Sequence, residues 1–213
     1  MKLKTGFFVS FEGGEGVGKS TLMPALAERL KEDGFEVVCS KEPGGTPVGV
    51  QLRQFMLDHA QTFSDIQTEL LLFLADRLEH ISSVLKPALA AGKIVLCDRY
   101  MDSTLAYQVG GRQLDSAQVT YLNELVTLRP QLTLLLDLPP EQGLKRAAKR
   151  SLPDRFEREA LAFHQRVRAK YLSLFEAHPD RMRLIDVCGK QPEQVLEEAY
   201  ICVKTRLEEV CHA

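Results

Sequence analysis

The sequence predicts an α/β fold built on a parallel sheet with helices on both faces. Three observations carry this. Short apolar runs alternate with segments of helical periodicity along the whole chain. The runs are continuously apolar rather than alternating, as strands buried on both faces are. The first run also leads through a glycine-rich loop, Gly13-Gly14-Glu15-Gly16-Val17-Gly18-Lys19-Ser20, into a helical segment.

Residues 7–11 (Phe-Phe-Val-Ser-Phe) form the first expected strand. Residues 21–33 read as a helix with Leu22, Leu26 and Leu30 on one stripe, Pro24 in an early turn where proline costs least, and Gly34 as its C-cap. A second strand is expected over 35–39 and a short helix over 48–58. Ser64, with Gln67 three residues on, marks the capped start of a long helix carrying Leu70, Phe73, Leu74, Leu78, Ile81 and Leu85. Pro87 is expected to bend or break that helix and Gly92 to end it. The third strand covers 93–97 and the fourth 132–136, after the breaker Pro130. Pro139-Pro140 opens a further helix, 160–175 is helical, 182–187 is the fifth strand and 194–210 the closing helix.

The chain has 213 residues, 45% hydrophobic and 26% charged, which suits one globular domain over 1–213 that needs no disulfide or metal to fold. Its formal net charge of −2 argues against a nonspecific nucleic-acid binder. No apolar run reaches the length of a membrane span, and the N-terminal residues lack a signal-peptide pattern. The five cysteines (Cys39, Cys97, Cys188, Cys202, Cys211) are odd in number and none stands in a C-x-x-C pair, so reduced thiols and a cytoplasmic location are expected.

Ligands in parallel sheets bind beyond the carboxyl ends of the strands. After strand one, Gly13 to Ser20 matches G-x-x-x-x-G-K-[ST] at every fixed position, with strand before and helix after. Such glycines let several N–H groups converge on phosphate oxygens, the lysine reaches the β/γ-phosphates, and the hydroxyl of Ser20 ligates Mg²⁺. A three-layer P-loop NTPase fold with a five-stranded parallel sheet and a short arginine-rich lid follows. The guanine-reading motif N-K-x-D is impossible, because the one asparagine is Asn123, followed by Glu124.

After strand two, Lys41-Glu42-Pro43-Gly44-Gly45-Thr46 is either a ligand-admitting turn or an ordinary strand-to-helix connection. Asp98-Arg99-Tyr100 follows strand three. Asp98 suits Mg²⁺, directly or through water, and Arg99 suits a phosphate. Asp137, after strand four, competes for the metal role. Residues 145–158 hold Lys145, Arg146, Lys149, Arg150, Arg155 and Arg158 around Ser151-Leu152-Pro153, which reads as a mobile basic lid or as a solvated helix face.

Taken together, these residues resemble the bacterial thymidylate kinases, a family of P-loop nucleoside monophosphate kinases. The likeness rests on the phosphate loop, Glu42-Pro43-Gly44-Gly45-Thr46, Phe73-x-x-x-Arg77, Asp98-Arg99-Tyr100 with Ser103-Thr104 and Ala106-Tyr107-Gln108, and the segment from Gly143-Leu144-Lys145-Arg146 to Asp154-Arg155. It implies transfer of the γ-phosphoryl of Mg-ATP to dTMP in a homodimer, with ATP held by residues 13–21 (Gly13 to Thr21), Arg146 and Arg155. It implies a dTMP site made of Glu15 (3′-hydroxyl), Glu42, Pro43, Phe73 (stacking), Arg77 (base carbonyl), Arg53 and Arg99 (phosphate), Ser103, Thr104, Gln108 (base) and Tyr107 (deoxyribose). Lys19, Arg99 and Arg150 would be catalytic. Some family members carry an arginine where this chain has Gly16, and Arg150, then Arg146 and Arg155, would supply that charge from the lid. Two other functions are weighed: a deoxynucleoside kinase, which would need a carboxylate base at the 5′-hydroxyl, and a non-enzymatic ATP-dependent switch.

Overall fold

The computed structural model describes residues 3–58, 60, 62–125, 128–149 and 154–211. Five strands, β1 (Phe7–Glu12), β2 (Val37–Lys41), β3 (Ile94–Asp98), β4 (Leu132–Asp137) and β5 (Met182–Asp186), form one sheet in the order β2-β3-β1-β4-β5. All pairings are parallel, and Phe11 on β1 lies level with Asp98 on β3 and Leu134 on β4. From β1 the chain crosses to the edge strand β2, returns inward to β3 beside β1, and then passes to β4 and β5 on the other side. The crevice expected of such a sheet therefore opens beyond the ends of β3, β1 and β4.

Every residue of β1 is buried, but its two faces differ. Phe7, Val9 and Phe11 pack with Leu22, Leu26 and Leu30 of α1 (Lys19–Glu32) and Ala199, Val203 and Leu207 of α9 (Pro192–Cys211). On the opposite face Phe8 joins Ile81, Leu85, Val95 and Tyr100 in a second cluster, and Leu135, Val167, Tyr171 and Met182 build a third around α8 (Leu161–Ala177). Ser10 and Glu12, which share Phe8's face by strand alternation, are polar and fully buried. The Ser10 and Thr133 hydroxyls lie 2.9 Å apart, and Arg181 donates to Thr133 Oγ1 and to both oxygens of Asp102, at 2.8 and 2.7 Å. A polar seam thus runs through the sheet's interior toward the crevice.

Three expectations about elements need correction. The long helix does not break at Pro87. It runs from α3 (Ile66–His80) through a π-helical turn at Ile81–Leu85 into α4 (Lys86–Ala90). Lys86 N–H bonds to the Ile81 carbonyl, five residues back, and Pro87, which has no N–H to donate, follows directly on this wide turn. The helix is capped by Asp65, not Ser64: the Asp65 carboxylate accepts from Gln67 N at 2.8 Å. Residues 101–124, to which the periodicity assigns no element, are mostly helical, as α5 (Met101–Thr104), a π segment at Leu105–Gly111 and α6 (Ser116–Glu124). Short and irregular helices lack the three or four turns needed for a clear apolar stripe. Elsewhere the expected bounds shift by a few residues, as where β2 runs from Val37 to Lys41.

Replacing Arg181 by alanine would leave the fully buried Asp102 without its bidentate partner. A loss of about 3–5 kcal/mol of unfolding free energy is expected in urea titration. A loss near zero would mean that the seam contributes nothing to holding the sheet together.

Candidate active site

The loop between β1 and α1 presses against α7 (Pro140–Ala147). Gly16 has φ of 66°, and a Cβ there would stand 2.0 Å from the Gly143 carbonyl oxygen. A Cβ on Gly143 would likewise meet the Glu15 carbonyl at 2.2 Å. This backbone-to-backbone contact explains why position 16 carries no arginine. Lys19 is buried and its Nζ donates to the carbonyls of Gly13 and Gly14, at 3.0 and 3.1 Å. Burial, then Arg99, lowers its pKa to about 8, against the pull of Asp98, Glu15 and Glu12.

Beside the loop lies an open cavity of about 610 Å³, and every residue assigned above to the dTMP site lines it: Glu15, Glu42, Pro43, Arg53, Phe73, Arg77, Arg99, Ser103, Thr104, Tyr107 and Gln108. Glu42, joined to Pro43 by a cis peptide, accepts from Arg77 Nε at 2.7 Å and pairs with His80 Nδ1 at 2.9 Å. Arg77 Nη1 donates to Asn123 Oδ1 at 2.8 Å, which leaves Nη2 as the nitrogen neither bond uses. Phe73 lies opposite Phe156 with ring centroids 6.0 Å apart, and Tyr107 meets the edge of Phe156 at 5.6 Å.

A second hollow, lined by Lys19, Ser20 and Asp98, shares Glu15, Arg53, Arg99 and Asp154 with the first. Two guanidiniums thus stand at the junction. Arg53 is held by the Pro43 carbonyl at 2.9 Å. Arg99 has φ of 66°, a left-handed conformation that a non-glycine residue holds only under constraint. The constraint is visible: its N–H bonds to Phe11 O at 2.9 Å, and the next N–H, of Tyr100, bonds to Glu12 Oε1 at 2.8 Å. So held, Arg99 donates to Gly13 O at 2.9 Å and to Glu15 Oε1 at 2.7 Å, where the Tyr107 hydroxyl also donates at 2.6 Å. Burial pushes the Glu15 carboxyl up, but Arg99, then Lys19 and the Tyr107 bond, bring it down to about 2.

The rivals for the metal role differ in their surroundings. Asp137 is gripped by Arg168 through both oxygens, at 2.8 and 2.7 Å. Asp98 Oδ1 is buried without a hydrogen-bond partner, in the hollow that also holds Ser20. An orphaned carboxylate oxygen beside a hydroxyl fits Mg²⁺, which takes few protein ligands and keeps substrate oxygens and water.

The basic segment divides. Arg146 lines a further groove with Gly16, Gly18, Thr21, Val187 and Lys190, on the far side of the loop. Arg155, assigned above to ATP, is turned instead to the acceptor side. It pairs with Glu69 at 2.5 Å, donates to Met56 O at 3.0 Å and lies over the Phe156 ring. Its guanidinium is drawn there by the buried carboxylate, a partner that adjacent residues do not reveal. Arg150, with Ser151, Leu152 and Pro153, lies outside the described residues.

Site residues absent from the sequence reading are Glu12, Phe156, Glu69 and Tyr171. Of these only Glu12 carries a sequence signal, a charged residue closing an apolar strand just before the glycine loop. Its carboxylate also accepts from Ser103 Oγ at 2.6 Å and Tyr171 OH at 3.0 Å. Burial, then Asp102, raises its pKa from 4.5 to about 7.

The thymidylate kinase family model matches residues 11–199. A thymidylate kinase of Synechococcus sp. (strain JA-2-3B'a(2-13)) is 50% identical over 202 residues, covering 94% of this chain and 95% of its own. One from Geotalea uraniireducens (strain Rf4) is 48% identical, over 91% of this chain and 94% of its own. The crystal structure of thymidylate kinase from Ehrlichia chaffeensis superimposes with a TM-score of 0.75 at 32% identity, over 94% of this chain and 99% of that one.

The raised pKa of Glu12 sets a pH dependence. Between 4.5 and about 7 the unfolded chain releases this proton while the native state keeps it, so native stability falls as pH rises across that window. Glu12→Gln binds no such proton. Urea titrations from pH 4.5 to 7.5 should therefore show wild-type stability declining relative to the variant, and parallel profiles would contradict the assignment.

Proposed function

The chain belongs to the thymidylate kinase family, and from that premise we propose that it transfers the γ-phosphoryl group of Mg-ATP to dTMP, giving dTDP and ADP. The observation that carries the reading is that the acceptor cavity opens into the phosphate hollow through two guanidiniums, Arg53 and Arg99, common to both. A monophosphate whose base enters the cavity would bring its phosphate to that junction, facing the loop that holds the triphosphate.

The acceptor is itself a phosphate, largely dianionic near neutrality, so no proton must be removed. The carboxylates at hand suit that absence. Glu15, at about 2, is a poor base, and Glu42 is tied by Arg77 and His80. A deoxynucleoside kinase would need such a base. The chain's own task is to position two anions and screen their repulsion. Lys19 would reach the β/γ-phosphates, Arg53 and Arg99 the acceptor phosphate, and Phe73 the face of the base. Arg77, Ser103, Thr104 and Gln108 would meet the base edge, with Glu42 and Pro43 shaping the wall. Glu15 would meet the 3′-hydroxyl, and Tyr107, bonded to Glu15, crowds the 2′ position. Ser20 and Asp98 would hold Mg²⁺, which when bound neutralises charge on the triphosphate. The groove lined by Arg146 and Thr21 continues from the loop and suits the nucleoside end of ATP.

Leu71 and Leu78 on α3 are about half exposed and lie seven residues apart on one helix face, with Val48 of α2 (Pro47–Leu57) also exposed. We assign this apolar strip to a second copy of the chain. The unpaired thiols of Cys39 and Cys188 are exposed, which suits a reducing cytoplasm. Among the described residues, no helix is long and apolar enough to cross a membrane.

The test is ADP release across a panel of acceptors. Acceleration by dTMP and not by thymidine is expected; the reverse would favour the deoxynucleoside kinase, and slow turnover indifferent to every acceptor a switch. Arg77→Ala should weaken dTMP binding by roughly 10–100-fold, as for a lost charged hydrogen bond, and leave ATP binding little changed in calorimetry. Arg150→Ala should lower kcat by about 10²-fold with modest change in either KM, because lid arginines meet charge assembled only during transfer. An unchanged kcat would pass that role to Arg146.

A further inference from the structure

Glu69 of α3 is fully buried, yet it has no part of its own in the phosphoryl-transfer site described above. Its carboxylate accepts from Gln108 Nε2 at 3.0 Å and from Arg112 Nε at 3.2 Å, and pairs with Arg155 Nη2 at 2.5 Å. A carboxylate between two guanidiniums has acceptors alone to offer. The end of the Gln108 amide that faces it must therefore be the NH₂. The carbonyl lies at the opposite end of a planar group, and Gln108 lines the acceptor cavity. Arg77, which also lines that cavity, keeps Nη2 as a donor, its other bonds going to Glu42 and Asn123. The lining of one cavity thus offers both an acceptor and a donor.

That polarity distinguishes pyrimidines. An imide base presents an N–H donor beside a carbonyl acceptor. Cytosine presents the inverse, an acceptor ring nitrogen beside an amino donor. We propose that Glu69 is a specificity-positioning residue: by holding the Gln108 amide in one orientation, it makes the acceptor cavity select imide pyrimidine monophosphates over cytidylates. The same carboxylate anchors Arg155, whose guanidinium lies 4.7 Å from the Phe156 ring centroid, so the cavity wall and its polarity have a common support. The inference deepens the dTMP reading and rests on it.

The experiment compares kcat/KM for dTMP and dCMP in wild type, Glu69→Gln, Arg112→Ala and Gln108→Leu. A glutamine at 69 both donates and accepts, so the Gln108 amide is free to turn over. The dTMP-to-dCMP ratio is expected to fall by about tenfold or more, the discrimination of one well-placed hydrogen bond. Arg112→Ala removes a partner but keeps the carboxylate, and should leave the ratio near the wild-type value. A purely structural role would lower both substrates by one factor. An unchanged ratio in Glu69→Gln, or an equal fall in Arg112→Ala, therefore overturns the proposal. If Glu69→Gln does not fold, Gln108→Leu decides, since it keeps Glu69 with both arginines: wild-type selectivity without the amide overturns it. Wild-type protein inert toward dTMP would sink the functional reading and this inference with it, whereas an active wild type with unmoved ratios sinks this inference alone.

Discussion

The site depends on keeping an ionised arginine, Arg99, half-buried at the end of an apolar strand. Its backbone adopts a left-handed conformation that costs about 1–2 kcal/mol for a non-glycine residue. Two carboxylates of the β1 end oppose that cost. Glu12 takes the next peptide N–H, and Glu15 takes the guanidinium. Burial disfavours the charged arginine, but Glu15, then Tyr107 and Tyr171, hold its pKa well above the ordinary value. The guanidinium therefore stays charged where it lines both hollows.

The same interleaving of cations with carboxylates runs through the crevice of this near-neutral protein. Lys19, Arg53 and Arg99 line one hollow with Glu15, Asp98, Asp154 and Glu157, and burial first, then Arg99, lowers the pKa of both Lys19 and Arg53. Glu12, pushed up to about 7, adds less negative charge near neutrality than an ordinary glutamate would. The polar seam of Ser10, Thr133, Asp102 and Arg181 carries this arrangement back into the sheet. It fixes Asp102 one residue before Ser103, which donates to Glu12. Stability and site geometry thus share one network.

The basic segment serves two sides. Arg146 faces the groove beyond the glycine loop, and Arg155 is drawn to Glu69 beside the acceptor cavity. Gly16 and Gly143 let α7, which leads into this segment, lie directly on the phosphate loop. Movement there would be transmitted to the loop backbone without an intervening side chain.

The sequence by itself determined the parallel sheet, through continuous apolar runs, and the phosphate loop, through glycines whose spacing carries its own geometry. Eleven residues of the cavity were expected through the family resemblance that its short motifs carry, whereas Leu57 and Phe156, which also line it, were not. The tertiary structure decided what those motifs do not contain. It alone separated Asp98 from Asp137, because Arg168 lies 31 residues from the latter. It alone turned Arg155 toward Glu69, and it joined Glu69 to Gln108 across 39 residues. The π turn before Pro87 and the irregular helices of 101–124 also emerged only there. The physical reason is common to all of these. Periodicity reveals which face of an element is buried, but the partner of a buried charge is chosen by whichever distant group folding brings within about 3 Å.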